Sequence, residues 1–448
     1  RTDIRFSDNW SDRLVVSGTA DLAGLVSVNV SGDLFDGIDK DFKILTAAGG
    51  LTLGDVGLSN PTLRGTISRQ NDTDAILSIT DIDFDPAGLD EAAAPLAGYL
   101  DDIFKEGVPD DLQPLMGALL SIPDIDTYKE AITQIEPEEY AQDLANSYGY
   151  GIDFTNRLLS CRVANGPNRF KAEGDCDWVG ARISNAEQDA TDSMSAYNQT
   201  LSSFEAGIQR RAEGPWRVGA GMGFTNSAAT AADGSTVQDT QGQAGVVLKY
   251  DADAWLLAAA LTGGFGNHHT ERGITIGNVD QTLIGDAPVA YASTRLNAAY
   301  TFDFGSTYIK PLVNVDLTAS YFGGVTETGG SGALTIDPAM EYEASFNPAI
   351  EIGGEFGDGH GNLIRPYAQV GVQASVMSES DLTARFVAVD PDLGGFAVPT
   401  PTNEPALKLS LGADVLTKTN DTLRLFYDGA FSASSRKNSV GLKVSHNF

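Results

Sequence analysis

Side chains able to do acid–base, nucleophilic or metal chemistry are thinly spread in this 448-residue sequence. It has four histidines: His268, His269, His360 and His446. His268 and His269 lie beside Glu271, which offers a metal two imidazoles and a carboxylate. The surrounding Gly-rich sequence reads instead as a solvated polar loop, and His360 falls in a Gly-rich turn. No G-x-S-x-G elbow, H-E-x-x-H pair or P-loop is present. Asp81-Ile-Asp-Phe-Asp85 opens like a calcium loop. Its sixth position is Pro86 and its twelfth Ala92, where such a loop needs Gly and Glu, so it reads as a strand end. No catalytic residue, metal ligand or cofactor is expected. Cys161 and Cys176 have no Cys or His neighbour to complete a zinc set. A local disulfide is preferred over two free thiols, and closing that loop is worth on the order of 3 kcal/mol. It would place the segment in an oxidising compartment.

Composition narrows the classes. With 29 basic against 61 acidic residues the formal charge is −32, which excludes the basic stripe that nucleic-acid binding requires. At 42% hydrophobic residues and a mean hydropathy of −0.12, the chain is too apolar for disorder. The longest apolar run, Trp255 to Phe265, is interrupted by Thr262, Gly263 and Gly264. A transmembrane helix is excluded and a transmembrane barrel is not. The sequence opens at Arg1 without Met or a signal-like segment, so its start is expected to be processed or trimmed.

Three zones follow from pattern. Residues 1–86 hold short β-rich runs, among them Leu25 to Val30, Asp41 to Leu45 and Ala75 to Ile79, separated by Gly, Asn and Asp. They read as a β-sandwich or a β-solenoid. Residues 87–136 hold short amphipathic helical pieces broken by Pro109, Pro114 and Pro123. Pro137 then opens a longer helix, with Glu138 and Glu139 in its first turn. Running to Ser160, it would measure about 36 Å.

Residues 177–448 divide into twelve segments that alternate strictly. Pro311, Val313, Val315, Leu317 and Ala319 share one face, with Lys310, Asn314, Asp316, Thr318 and Ser320 on the other. Period two with charge on one face fits a barrel with lipid outside and water inside. Connection lengths agree. Short turns fall at 213–215, 251–253, 303–306, 357–361 and 417–420; longer loops are expected at 266–288, 323–340 and 378–405. Aromatics near segment ends (Trp178, Trp216, Tyr250, Trp255, Tyr300, Phe302, Tyr367) suit interfacial girdles. Glu343, Glu351 and Glu355 are candidate lumen acids.

The terminal run Val440, Leu442, Val444, His446 and Phe448 resembles the signal by which barrel-assembly machinery takes up outer-membrane proteins, with His446 where an aromatic is more usual. Tyr128 to Tyr140, the helix, the cysteine pair and Asp177-Trp-Val-Gly-Ala-Arg182 resemble the linker and first strand of a monomeric autotransporter of type V secretion. Ser11 to Val30, Phe42 to Ala47 and Ser78 to Phe84 resemble the last rungs of a β-helical passenger.

The resemblance covers essentially the whole chain and implies an all-β membrane protein. Residues 1–86 would end a passenger β-helix, 87–136 a helical linker, 137–176 a pore helix and disulfide-closed connection, and 177–448 a twelve-stranded antiparallel outer-membrane barrel. Such a protein exports and anchors its own passenger at the surface of a Gram-negative cell. Its implied partners are outer-membrane lipid, barrel-assembly machinery, periplasmic chaperones and the passenger; it would be a monomer, bind no nucleic acid and catalyse nothing itself. Asp143, Asn146, Ser147, Asp153 and Asn156 would be costly facing lipid and suit an aqueous lumen, so one helix would plug the pore. Some family members release the passenger by Asn-mediated cleavage in the pore; here Asn146-Ser147 and Asn156-Arg157 are the helix Asn sites, and helix polarity is the preferred explanation of both.

Two alternatives stay open. One is a virulence-associated adhesin using the acidic segment (Asp33, Asp36, Asp39, Asp41, Asp81, Asp83, Asp85) and external loops. The other is the remnant of a larger protein with an enzymatic passenger.

Overall fold

The computed structural model describes residues 2–7, 10–30, 38, 40–90, 92–161, 173–191, 195–357, 362–377, 382–398, 400 and 404–448. Residues 143–148 are described in backbone alone, so the side chains of Asp143, Asn146 and Ser147 lie outside the described residues, as do Asp33, Asp36, Asp39 and His360.

Eight strands come first: β1 (Thr2–Ser7), β2 (Trp10–Ser11), β3 (Leu14–Val16), β4 (Ala20–Val30), β5 (Asp41–Ala47), β6 (Leu51–Leu58), β7 (Leu63–Arg69) and β8 (Asp74–Ile82). β4 pairs in parallel with β1 and β6, and β3 in parallel with β5; β8 closes this foot antiparallel to β5 and β7. Four helices follow: α1 (Ala94–Glu106), α2 (Gln113–Leu120), α3 (Ile125–Thr133) and α4 (Glu138–Leu158). Asp124 caps α3 by accepting the Thr127 N–H at 2.9 Å. Pro95 and Pro114 stand in the first turns of α1 and α2, where a missing N–H costs nothing.

The remaining strands are β9 (Cys176–Gln188), β10 (Tyr197–Arg211), β11 (Trp216–Ala231), β12 (Thr236–Ala252), β13 (Trp255–Ile276), β14 (Val279–Tyr300), β15 (Phe302–Asp303), β16 (Thr307–Phe322), β17 (Val325–Thr326), β18 (Leu334–Ile336), β19 (Ala339–Gly354), β20 (Phe356–Gly357), β21 (Leu363–Met377), β22 (Leu382–Phe386), β23 (Phe396–Val398), β24 (Ala406–Leu416), β25 (Asp421–Phe431) and β26 (Ser435–Asn447). Twelve of them, β9 to β14, β16, β19, β21 and β24 to β26, pair antiparallel in sequence order, and β26 returns to β9 with Ser445 opposite Trp178. The barrel is closed, which removes the edge that an open sheet would present to lipid.

The wall is inside-out relative to a soluble protein. Phe204, Met222, Phe224, Leu261, Phe265, Leu317 and Leu425 are exposed, while Arg182, Gln199, Asp239, Thr262, Arg295 and Asp316 are buried. Strand β13 marks the membrane edge. Its outward residues are apolar from Trp255 through Phe265 and turn polar at Asn267, His269 and Glu271. Those eleven residues match the roughly 9–11 a tilted strand needs to cross the hydrocarbon. Trp216 against Tyr250, Trp255 against Tyr300 and Tyr300 against Phe302 form an aromatic belt at the short-turn end, with ring centroids 5.0, 4.9 and 4.7 Å apart. Trp178 and Tyr367 do not join it. Trp178 is buried in the lumen with Lys443 4.5 Å from its ring, and the Arg424 guanidinium lies 5.6 Å from the Tyr367 ring. Side-chain parity, not position along the strand, decides which aromatics reach lipid.

The short turns at 213–215, 251–253, 303–306 and 417–420 stand as expected, with left-handed backbone at Asp253 and Asn420 and at Gly214 and Gly305; the turn expected at 357–361 lies, after Gly357, outside the described residues. The expected loop at 266–288 is instead an extension of β13 and β14, joined at Ile276 and Val279. Period two continues through it, and polar composition alone concealed the strands. The segments at 323–340 and 378–405 contain β17, β18, β22 and β23, which pair as a second small sheet. Above the membrane the inward residues become apolar. Ile274, Ile276, Leu283, Leu334, Ile336 and Phe386 join Val28, Ile44, Leu77, Phe84, Leu100, Leu119 and Ile132 in one hydrophobic core. The foot, helices α1 to α3 and the barrel cap therefore share one core.

The occupied lumen as candidate functional site

Helix α4 begins one residue after Pro137 and has 21 residues, about 32 Å. Glu138 and Glu139 occupy its first turn and Arg157 its last, both favourable to the helix dipole. It packs against β10 to β14 and β16. The fit needs small wall residues. A Cβ on Gly221 or Gly245 would stand 2.7 or 2.8 Å from the Leu158 methyls, and one on Gly151 would stand 2.8 Å from the Tyr291 ring.

Polar contacts hold the helix at each depth. At the outer end the Tyr140 hydroxyl donates to Glu327 at 3.0 Å. Glu327 also receives both arms of Arg272 at 2.9 Å, and Arg272 donates to the Ile135 carbonyl at 3.1 Å, clamping the turn before α4. Midway, the Tyr150 hydroxyl donates to Asp239 at 3.0 Å and accepts from Gln199 at 3.0 Å. Asp153 pairs with Lys437 at 2.7 Å and with Arg182. Thr155 meets Thr262 at 3.2 Å, and Asn156 accepts from Arg295. At the inner end Arg157 pairs with Asp428 at 2.8 Å and lies over the Phe426 ring. Lys443 donates to the Ser160 hydroxyl at 2.6 Å, and Lys249 to the Leu159 carbonyl at 3.0 Å and to Glu173 at 2.6 Å. A disulfide joins Cys161 to Cys176, tying the segment after the helix to the start of β9.

Among the candidate lumen acids, Glu343, Glu351 and Glu355 are all buried. Glu351 pairs with Lys310 at 2.6 Å and Glu355 with Arg365 at 2.8 Å, so both are spent on wall cations. Val440, Leu442, Val444 and His446 are exposed on the outer face of β26, and Phe448 is exposed just beyond its end; His446 also bonds Asp421 at 2.9 Å. Asp83 pairs with Arg64 at 2.7 Å. No group of three or more candidate metal ligands occurs among the described residues.

His268 corrects the loop reading. It lies in strand β13, 0% exposed, with Nδ1 2.7 Å from Asp239 and Nε2 2.8 Å from the Thr270 hydroxyl. His269, one residue on, faces outward toward Asp286 at 3.0 Å. Alternation through 266–276 would have found this, because it puts 268, 270 and 272 on the inner face together.

The model of the autotransporter beta-domain matches residues 178–429. No sequence among curated proteins matches the chain. In structure it is similar to the translocator domain of autotransporter NalP from Neisseria meningitidis, with a TM-score of 0.54 at 13% identity over 68% of this chain and 98% of that one. It also matches the beta domain of the Bordetella autotransporter BrkA (TM-score 0.45, 17% identity, 62% and 100%) and the transport unit of AIDA-I from Escherichia coli (0.41, 10%, 66% and 97%). The chain belongs to the autotransporter family, and its barrel is the outer-membrane translocator of a Gram-negative cell.

Proposed function

We propose that this chain carries its own N-terminal passenger across the outer membrane and holds it on the outside. In this reading 1–86 are the last passenger rungs, 87–136 a linker, 137–176 the pore segment and 177–448 the translocator. The observation that carries it is the path of α4. The chain enters the lumen from the foot at the long-loop end and reaches β9 at the short-turn end, which is the path a polypeptide exported through the barrel leaves behind. The parallel pairs β1–β4, β4–β6 and β3–β5 support continuation of the passenger as a solenoid.

No catalysis belongs to this chain in that reading. The Asp239–His268–Thr270 line resembles an acid–base relay, but it is fully buried and its carboxylate docks Tyr150. Barrel-assembly machinery would take β26 by its exposed Val440, Leu442, Val444 and Phe448, after periplasmic chaperones deliver the chain. Closure by β26 on β9 supports a monomer.

The test is an epitope inserted in the exposed turn at Asn71–Asp72. Antibody should label intact cells, and deleting β25 and β26 should abolish labelling. Labelling that requires permeabilised cells would overturn the reading.

A further inference from the structure

Helix α4 fills only part of the lumen. Beside it, along the wall from β14 to β26, runs a cavity of about 640 Å³. It reaches from Ser160, Leu256 and Lys310 at the short-turn end to Glu404, Thr191 and Ser434 at the long-loop end. Asn297, Asn314, Asn347 and Gln369 line it, interleaved with apolar residues such as Leu312 and Val372. Amide side chains replace ion hydration without holding an ion tightly.

The charge along this lane is almost fully compensated. Six of the seven cations lining it face a carboxylate: Arg157 with Asp428, Arg295 with Asp316, Lys310 with Glu351, Arg424 with Asp414, Lys437 with Asp153, and Arg436 with Glu187. The seventh, Lys408, has no hydrogen bond or ion pair among the described residues. On β24 its neighbours in register are Gly371 and Ala430, which put no bulk opposite the ammonium. Asp153 and Asp428 act on it through space, but each already pairs with another cation. Glu404, the lining acid that pairs with no cation among the described residues, is half-buried at the long-loop mouth and accepts the Ser434 N–H at 2.9 Å. Within walls of low dielectric, a cation without a direct partner focuses the field over the cross-section.

We propose that the lane is a standing channel for small ions that prefers anions, with Lys408 as the residue that sets the preference. The inference goes beyond passenger export, since it concerns the barrel with the helix still docked. It also runs against the charge of the molecule, because a chain of net −32 would by its overall field favour cations. Only a local positive site inverts that.

The experiment reconstitutes the full chain in a planar bilayer under a potassium chloride gradient. A small steady conductance is expected, with a reversal potential displaced toward the chloride equilibrium. K408E should move the reversal potential across zero toward potassium, and K408Q should bring it close to zero. Because a lumen variant can fail to fold, K408C is the second arm. Once assembled and shown to be heat-modifiable on gels, it is treated in place with a cationic or an anionic methanethiosulfonate. The cationic reagent should restore anion preference and the anionic one reverse it. A closed bilayer with heat-modifiable protein, a cation-preferring native chain, or a preference unmoved by either reagent would each overturn the proposal while leaving export untouched.

Discussion

The Tyr150 hydroxyl on the pore helix and the Asp239 carboxylate on the barrel wall lie 3.0 Å apart, with both groups buried. Asp239 also accepts from Ser227 at 2.8 Å and contacts His268 at 2.7 Å. One wall carboxylate thus fixes both the helix and the imidazole behind it. Tyr150→Phe removes the link without opening a void and leaves Asp239 its other partners. The expected cost is about 1–2 kcal/mol, seen as a fall of a few degrees in the temperature at which the detergent-solubilised barrel unfolds on gels. An unchanged temperature would contradict the docking role.

Asp153 is the stronger anchor. Arg182 and Lys437 both converge on it, and Arg182 is buried. Asp153→Asn leaves two cations against one neutral amide, a loss of roughly 3–5 kcal/mol for a buried pair. The helix should loosen, with faster trypsin cleavage after Arg157 from the short-turn side. Cleavage at the native rate would show that the pair does not hold the helix.

Gly151 sets how closely the helix lies to the wall. Gly151→Val would drive its side chain into the Tyr291 ring and should cost about 1–3 kcal/mol by overpacking. Adding Tyr291→Ala should recover part of that loss in the same melting assay. No recovery would place the clash elsewhere.

Outside the membrane, two carboxyls predict how stability varies with pH. Lys43, Asn71 and Thr46 all hydrogen-bond Asp74 and lower it to about 2. Its stabilisation is complete above the ordinary value near 3.8 and is lost as pH falls toward 2. Burial, with Glu138 and Asp90 nearby, raises Glu136 to about 8. There the unfolded chain ionises first, so stability declines from about pH 4.5 to 8. Glu136→Gln should flatten the alkaline side of a melting-temperature profile and leave the acid side alone. A profile unchanged between pH 5 and 9 would contradict this.

Much of this was legible from period and connection length. Twelve alternating segments and five short turns gave the barrel its strand number and closure, because the wall of a membrane barrel must alternate along its full height. Pro137, Glu138 and Glu139 marked the start of the pore helix, since N-terminal helix chemistry is local. His268 was misread because a His-His pair with Asn and Glu neighbours looks like a loop, and only pairing with β12 and β14 shows that it is strand. Trp178 was misplaced for a related reason. Aromatic belts are described by position along a strand, whereas parity put this ring in the lumen beside Leu158 and the disulfide. The partners of Asp153 and Asn156 were not readable at all, because Lys437 and Arg295 are separated from them by 284 and 139 residues.

Docking of the helix inside the translocator can be checked with a cross-link. Thr155 and Thr262 approach with their hydroxyls 3.2 Å apart. T155C with T262C, in a chain whose Cys161 and Cys176 are replaced by Ala, should form a disulfide in intact outer membranes. Peptide mapping should recover the two sites joined across the lumen. Free thiols at both positions in fully folded, heat-modifiable barrel would contradict the account.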